Sequence, residues 1–238
     1  MKALIFDCDG VLVDTERDGH RVAFNRAFAG AGIDAEWSVE LYGKLLAIAG
    51  GKERMTHYFN QHGWPPDKSA DTLIPELHKR KTAIFTELIA TGALPLRPGV
   101  ARLVDEAHAG GVALGVCTTS DPKAIDGVLD LLGAKRKAWF EIVLAGDVVK
   151  KKKPDPEIYL LAKQKLGLES KDCVVVEDSR NGLLAALGAG MPTLITTSTY
   201  TTGEDFSGAA KVVPELGDAP NVRITLGDLK AMAARRAA

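Results

Sequence analysis

The amino-acid sequence predicts an α/β protein built on a doubly wound parallel sheet that one helical insertion interrupts. Three observations predict it. Short apolar, β-rich runs recur at residues 3–6, 112–117, 141–145, 173–176, 193–195 and 211–213. Each ends in polar residues, as strands buried on both faces of a parallel sheet do. Helical periodicity lies between them at 100–109, 123–132, 156–166 and 181–189, with Gly110, Gly133, Gly167 and Gly190 placed to end those helices. Strand and helix thus alternate, the pattern of a doubly wound sheet. The third observation is where the rhythm stops. From Thr15 to Leu94 helical patterns at 17–29, 39–47, 52–62 and 69–91 follow one another with no convincing strand. Polar residues after Asp14 open this insertion, and Pro95, Pro98 and Gly99 close it. The expected division is therefore 1–14 with 95–238 for the sheet-bearing part and 15–94 for the insertion, joined by two connectors that permit hinge motion.

Composition narrows the class. The 238 residues are 46% hydrophobic, enough for one sizeable core and a smaller second unit. Lysine and arginine total 30 against 31 aspartate and glutamate, so no global field recruits nucleic acid or an anionic membrane. Cys8, Cys117 and Cys173 are odd in number, far apart and set among apolar residues, which argues for buried thiols rather than a disulfide framework or a zinc site. No run approaches the ~20 apolar residues that span a bilayer. The first six residues lead straight into Asp7 without a signal-peptide pattern, so a soluble, cytoplasmic, monomeric enzyme with a small-molecule partner is the expectation.

The chemistry-bearing residues stand at strand ends. The first strand runs into Asp7-Cys8-Asp9-Gly10-Val11-Leu12-Val13-Asp14-Thr15. Residues two apart in extended chain face one side, so Asp7 and Asp9 both address the cleft beyond the strand if the extended geometry persists. Two carboxylates so close need either a hard divalent cation or a division into acid and nucleophile. Gly10 suits a tight turn. A second acidic pair, Glu177 and Asp178, ends the run Val174-Val175-Val176, and magnesium fits such a cluster because it takes one or two carboxylates, waters and a phosphate. Thr118, Thr119 and Ser120 end another strand and offer hydroxyl and backbone donors to an anion, while Lys153, before Pro154, supplies a fixed cation. Singly, each has an ordinary explanation: a calcium loop or plain turn, a helix cap, a strand end, a surface lysine. Their joint placement at several strand ends points to phosphoryl chemistry.

Four motifs in order, Asp7 to Thr15, Val116-Cys117-Thr118-Thr119-Ser120, Lys153-Pro154 and Val176-Glu177-Asp178-Ser179, resemble the haloacid dehalogenase superfamily over nearly the whole chain. The resemblance implies a Rossmann-like core with an inserted helical cap domain. It implies that Asp7 is the nucleophile that becomes an aspartyl phosphate, and that Asp9 is general acid and then base. It also implies that Thr118 binds the transferring phosphate, that Lys153 neutralises it, and that Asp178 holds Mg²⁺ with Asp7 and the backbone carbonyl of Asp9. Glu177 is implied as a support for the metal or its waters. The presence of Asp9 favours a phosphohydrolase over a dehalogenase.

Within the superfamily, Asp14-Thr15-Glu16, His20, Gly50-Gly51-Lys52-Glu53-Arg54 and Leu77-His78-Lys79-Arg80-Lys81-Thr82 resemble the CbbY-like branch. That resemblance implies hydrolysis of a sugar bisphosphate beside the Calvin cycle, xylulose-1,5-bisphosphate to xylulose 5-phosphate. A second phosphate needs cations away from Asp7, and Lys52, Arg54 and Lys81, with Arg97 from the hinge, are the suppliers in reach of the sequence. Glu16 and His20, four apart on the first helix of the insertion, suit sugar hydroxyls. The neighbouring activities are beta-phosphoglucomutase-like transfer and phosphoglycolate hydrolysis. A non-catalytic phospho-receiver is the reading from a different class.

Overall fold

The computed structural model describes residues 1–66, 68–92 and 94–235. The expected divisions also run across residues 67, 93 and 236–238, which lie outside the described residues. The chain separates into two compact units, Met1–Asp14 with Pro95–Ala238, and Thr15–Leu94.

The first unit holds a six-stranded sheet of β1 (Ala3–Phe6), β2 (Ala113–Cys117), β3 (Phe140–Leu144), β4 (Cys173–Glu177), β5 (Thr193–Thr196) and β6 (Lys211–Val213). Every pairing is parallel and the order is β3-β2-β1-β4-β5-β6. All four residues of β1 and all five of β4 are buried, which is why the chain is apolar from Ala3 to Phe6 and from Cys173 to Val176 instead of alternating, the buried exception being Glu177 at the end of β4. In such an order the connections leave β1 toward both edges, so the crevice at the carboxyl ends of β1 and β4 is the topological switch point where ligands bind in open α/β sheets. The register sets Phe6 beside Val116 and Val176, so the residues that follow these three positions meet at that crevice.

The second unit is helical. Its first turn, Glu16–His20, is π-helical rather than the start of a regular helix, and leads into α1 (Arg21–Gly30). Next come α2 (Val39–Leu45), α3 (Gly51–His62) and α4 (Ala70–Ala90), the last of which runs through Pro75. Ser38 caps α2 by accepting from Leu41 N at 3.1 Å. The interior of this unit is aromatic. Trp37 sits 4.7 Å from Phe24 and 5.0 Å from Phe28 between ring centroids, and Asn25 pins the Trp37 backbone through both its N–H and its C=O.

Around the sheet stand α5 (Val100–Ala109), α6 (Pro122–Asp130), α7 (Ala134–Lys137), α8 (Glu157–Leu166), α9 (Arg180–Gly188) and α10 (Leu226–Arg235). On one face α8 and α9 bury Ile158, Tyr159, Ala162 and Ala185 against Ile5 and Val175. Side chains alternate along a strand, so Leu4, Phe6 and Val174 serve the opposite face, where α5 lies against β2 and α10 against β4. The short α7 and the whole of α10 escape the sequence reading. Gly110 is not the left-handed residue after α5; positive φ falls one residue later, at Gly111. The three cysteines are free and buried.

Candidate active site

The sheet brings Asp7, Thr118, Lys153, Glu177 and Asp178 together. Asp7 follows β1 and keeps the sheet's hydrogen bonding by donating its N–H to Val176 O at 2.9 Å. The extended geometry goes no further. Gly10, at φ +78°, turns the chain, with its N–H on Val13 O at 2.8 Å. A Cβ on Gly10 would lie 2.0 Å from Asp178 Oδ2, so glycine is required here both for the turn and for the close approach of the first acidic loop to the second.

Lys153 is the hub. Its ammonium donates to Asp7 Oδ1 at 2.7 Å, Glu177 Oε1 at 2.6 Å and Cys117 O at 2.9 Å, using all three of its protons. It is buried, as are Asp7 and Glu177, so the surface-lysine explanation fails. Nor do the acidic residues at the end of β4 cap α9, since Ser179 does that by accepting from Gly182 N at 3.2 Å. Ligand atoms of Asp7, Glu177 and Asp178 lie within 4.8 Å of one another. Three carboxylates against one ammonium leave a surplus of two negative charges in a buried place, which is the charge that one divalent cation neutralises. The residues present therefore fit a hard cation.

The electrostatics show the same surplus. Burial pushes the Asp7 carboxyl up to about 8 against the lowering pull of Lys153, and the charges of Glu177 and Asp9 add to the rise. Burial opposes the Lys153 ammonium, yet the charges of Asp7 and Glu177 overcome it and raise its pKa. Burial and the neighbouring Glu177 charge likewise raise the Tyr159 phenol well above its ordinary value.

Asp9 does not join that trio through its side chain; its Oδ2 accepts the Ser120 hydroxyl. Ser120, expected to bind substrate, instead donates its hydroxyl to Asp9, and its N–H goes to Thr118 Oγ1 at 3.2 Å. Thr118 is buried and spends its own N–H on Leu144 O at 2.9 Å, which leaves its hydroxyl as the group for an anion. Thr119 stands half-buried beside it. Arg97 differs from expectation. Its guanidinium donates to the carbonyls of Gly10, Thr196, Thr197 and Pro214, so it clasps the loop after β1 to the ends of β5 and β6.

In the helical unit Arg54 and Lys81 are only 6% and 7% exposed, so neither is a surface cation. Arg54 Nη1 donates to the Tyr42 hydroxyl at 2.9 Å, and Tyr42 donates in turn to Glu16. Lys81 Nζ is 2.7 Å from His20 Nδ1, and it stands over the rings of Phe24 and Phe85 at 4.9 and 5.1 Å. Two polar groupings thus flank Phe24. Lys52 lies half-buried in the first turn of α3. Tyr42 and Tyr159 escape the sequence reading because both sit at apolar helical positions, where a tyrosine reads as core.

The haloacid dehalogenase-like hydrolase family matches residues 1–190, most of the chain. The chain belongs to this family. It is a phosphoric monoester hydrolase of the haloacid dehalogenase type. A CBBY-like protein of Arabidopsis thaliana is 53% identical over 94% of this haloacid dehalogenase-like chain and 72% of its own length. The plasmid protein CbbY of Cupriavidus necator is 44% identical over 92% of this chain and 87% of its own. Among solved structures, a mutant CbbY from Rhodobacter sphaeroides in complex with xylulose-(1,5)bisphosphate superposes with a TM-score of 0.89. It is 36% identical over 96% of this chain and 99% of that one.

Proposed function

We propose that this hydrolase is a magnesium-dependent sugar-bisphosphate phosphatase that converts xylulose-1,5-bisphosphate to xylulose 5-phosphate through an aspartyl phosphate on Asp7. The observation that carries the reaction is the Lys153 ammonium on Asp7 Oδ1 amid the buried carboxylates. That contact orients the carboxylate and leaves Oδ2, which takes no hydrogen bond among the described residues, as the nucleophilic oxygen. Oδ2 attacks phosphorus in line with the ester oxygen, and the P–O bond to the sugar breaks. Asp9, anchored by Ser120, gives its proton to the leaving alkoxide. Asp9, now ionised, takes a proton from the water that attacks the acyl phosphate, and inorganic phosphate leaves Asp7. The Thr118 hydroxyl and Lys153 meet the phosphoryl oxygens as their charge develops. Asp7 and Asp178, with the Asp9 carbonyl and support from Glu177, would hold Mg²⁺, which supplies further neutralisation of that charge.

Substrate choice rests on the helical unit, the cap of this reading. Arg54 and Lys81 lie in an aromatic interior, held by Tyr42 and His20, an arrangement whose use is recognition of a second anion. Lys52 supplies a further cation at the start of α3, and Glu16 and His20 hold sugar hydroxyls. The likeness to the bisphosphate-bound CbbY structure over 96% of this chain supports the same substrate class.

The test is release of inorganic phosphate by the purified protein with magnesium or with a chelator. Xylulose-1,5-bisphosphate is the expected preferred substrate over phosphoglycolate and beta-glucose 1-phosphate, without a sugar-bisphosphate activator, and Asp7→Asn is expected to be inactive. Full activity of Asp7→Asn sinks the mechanism, and equal or reversed preference sinks the substrate.

A further inference from the structure

The side of the site that faces the core is closed by one phenol. Tyr159, on α8, is fully buried among Ile5, Cys117 and Val175, and its hydroxyl donates to Glu177 Oε1 at 2.5 Å. The same oxygen accepts the Lys153 ammonium at 2.6 Å, and the ammonium stands 5.1 Å from the centroid of the Tyr159 ring. Glu177 is fixed from its other sides as well. Its Oε2 accepts the Asp178 N–H at 3.2 Å, and Gly182 leaves room where a Cβ would lie 2.0 Å from the carboxylate. An oxygen shared between two donors presents to each a fixed direction, and the ammonium's two remaining protons are then aimed at Asp7 Oδ1 and Cys117 O.

We infer that Tyr159 is a positioning residue for the phosphoryl transfer of the proposed reaction: its hydroxyl fixes Glu177, and Glu177 fixes the Lys153 ammonium against the nucleophile. The inference rests on the reading of Asp7 as nucleophile. Without the hydroxyl, Glu177 Oε1 keeps Lys153 as its one donor among the described residues, and the carboxylate is free to turn and draw the ammonium away from Asp7. The helical unit takes no part in this arrangement, so the effect belongs to the rate of transfer and not to recognition of the sugar.

Tyr159→Phe keeps the ring, its packing and its place beside the ammonium, and removes only the hydroxyl. With para-nitrophenyl phosphate and saturating magnesium, kcat is expected to fall about tenfold while KM stays within about twofold. In a Lys153→Arg background, where the ammonium is already replaced, the same substitution is expected to cost less than about twofold, because the two residues act as one unit. Should Tyr159→Phe give no folded protein, Tyr159→Met, of similar volume, is put through the same cycle. An unchanged kcat, a change confined to KM, or a full additional loss in the Lys153→Arg background overturns the inference. Asp7→Asn separates the two levels. If it is inactive while Tyr159→Phe matches the parent, positioning by Tyr159 is wrong and the reaction stands; if it is fully active, the reaction itself is wrong.

Discussion

Binding of magnesium should displace a proton from Asp7, and the pH dependence of that binding can be worked out from the site. Burial holds the Asp7 carboxyl at about 8 in the cation-free protein, far above its ordinary 3.8, with Glu177 and Asp9 adding to the rise. A carboxyl raised on folding contributes stability below its unfolded value and loses it as pH climbs through the folded one, so the cation-free protein weakens between about pH 4 and about pH 8. A cation that binds the ionised carboxylate reverses the trend. Below about pH 8 each pH unit costs it about 1.4 kcal/mol, or about tenfold in affinity. At a magnesium concentration a hundredfold above the Kd at pH 8, the ion stabilises the fold by about 2.7 kcal/mol. At pH 6, where the carboxyl is almost fully protonated instead of half, the same concentration is about twice the Kd and contributes about 0.6 kcal/mol. For a chain of this size the rise in Tm is then about 5–11 °C at pH 8 and about 1–3 °C at pH 6. Thermal unfolding with and without magnesium at the two pH values measures this directly, with Asp7→Asn expected to flatten the difference. Equal shifts at pH 6 and pH 8 would refute the claim that the ion must compete with a proton on Asp7.

Gly10→Ala should cost about 1–2 kcal/mol for the left-handed backbone and also push Asp178 aside, since the new methyl lies 2.0 Å from its carboxylate oxygen. Weakened magnesium affinity measured by calorimetry is the expected result, and parental affinity would contradict the contact. Arg97→Ala strands the carbonyls of Gly10, Thr196, Thr197 and Pro214 and should lower stability by about 1–3 kcal/mol in denaturant unfolding. Arg97→Lys is expected to recover only part of that, because an ammonium cannot reproduce the planar fork. Charge reversal in Lys52→Glu should raise KM for xylulose-1,5-bisphosphate by about tenfold and leave KM for an aryl phosphate within about twofold. Equal effects on both substrates would remove Lys52 from recognition of the second phosphate.

The sheet was legible because its central strands are buried on both faces, a condition that forces unbroken apolar runs such as Ala3 to Phe6 and Val174 to Val176. The acidic and cationic residues at the strand ends were legible for a related reason: polar residues directly after such runs fall at one edge of a parallel sheet. Partners were harder to read. Nothing in the pattern separates Tyr159 from an ordinary core aromatic, because its hydroxyl matters only through Glu177, 18 positions along the chain. Arg97 looked like a substrate cation because sequence gives its charge and not the four carbonyls around it. The burial of Arg54 and Lys81 was not legible, because helical periodicity does not show that neighbouring aromatics enclose a side chain. The Glu16–His20 turn was misread as regular helix, since a π-turn has no signature in residue spacing alone.

The position of β1 in the sheet also bears on the order of assembly. It precedes both of its partners in the chain: Ala3 pairs with Ala113 on one side and with Cys173 on the other. Its native neighbours are therefore separated from it by about 110 and 170 residues, contacts of the kind that make folding slow. Asp7 cannot acquire the Glu177 and Asp178 carboxylates beside it until the roughly 170 residues between them have been made. The helical insertion has all of its own sequence much earlier, so a nascent chain would hold a folded helical unit while Asp7 still lay on an unpaired strand.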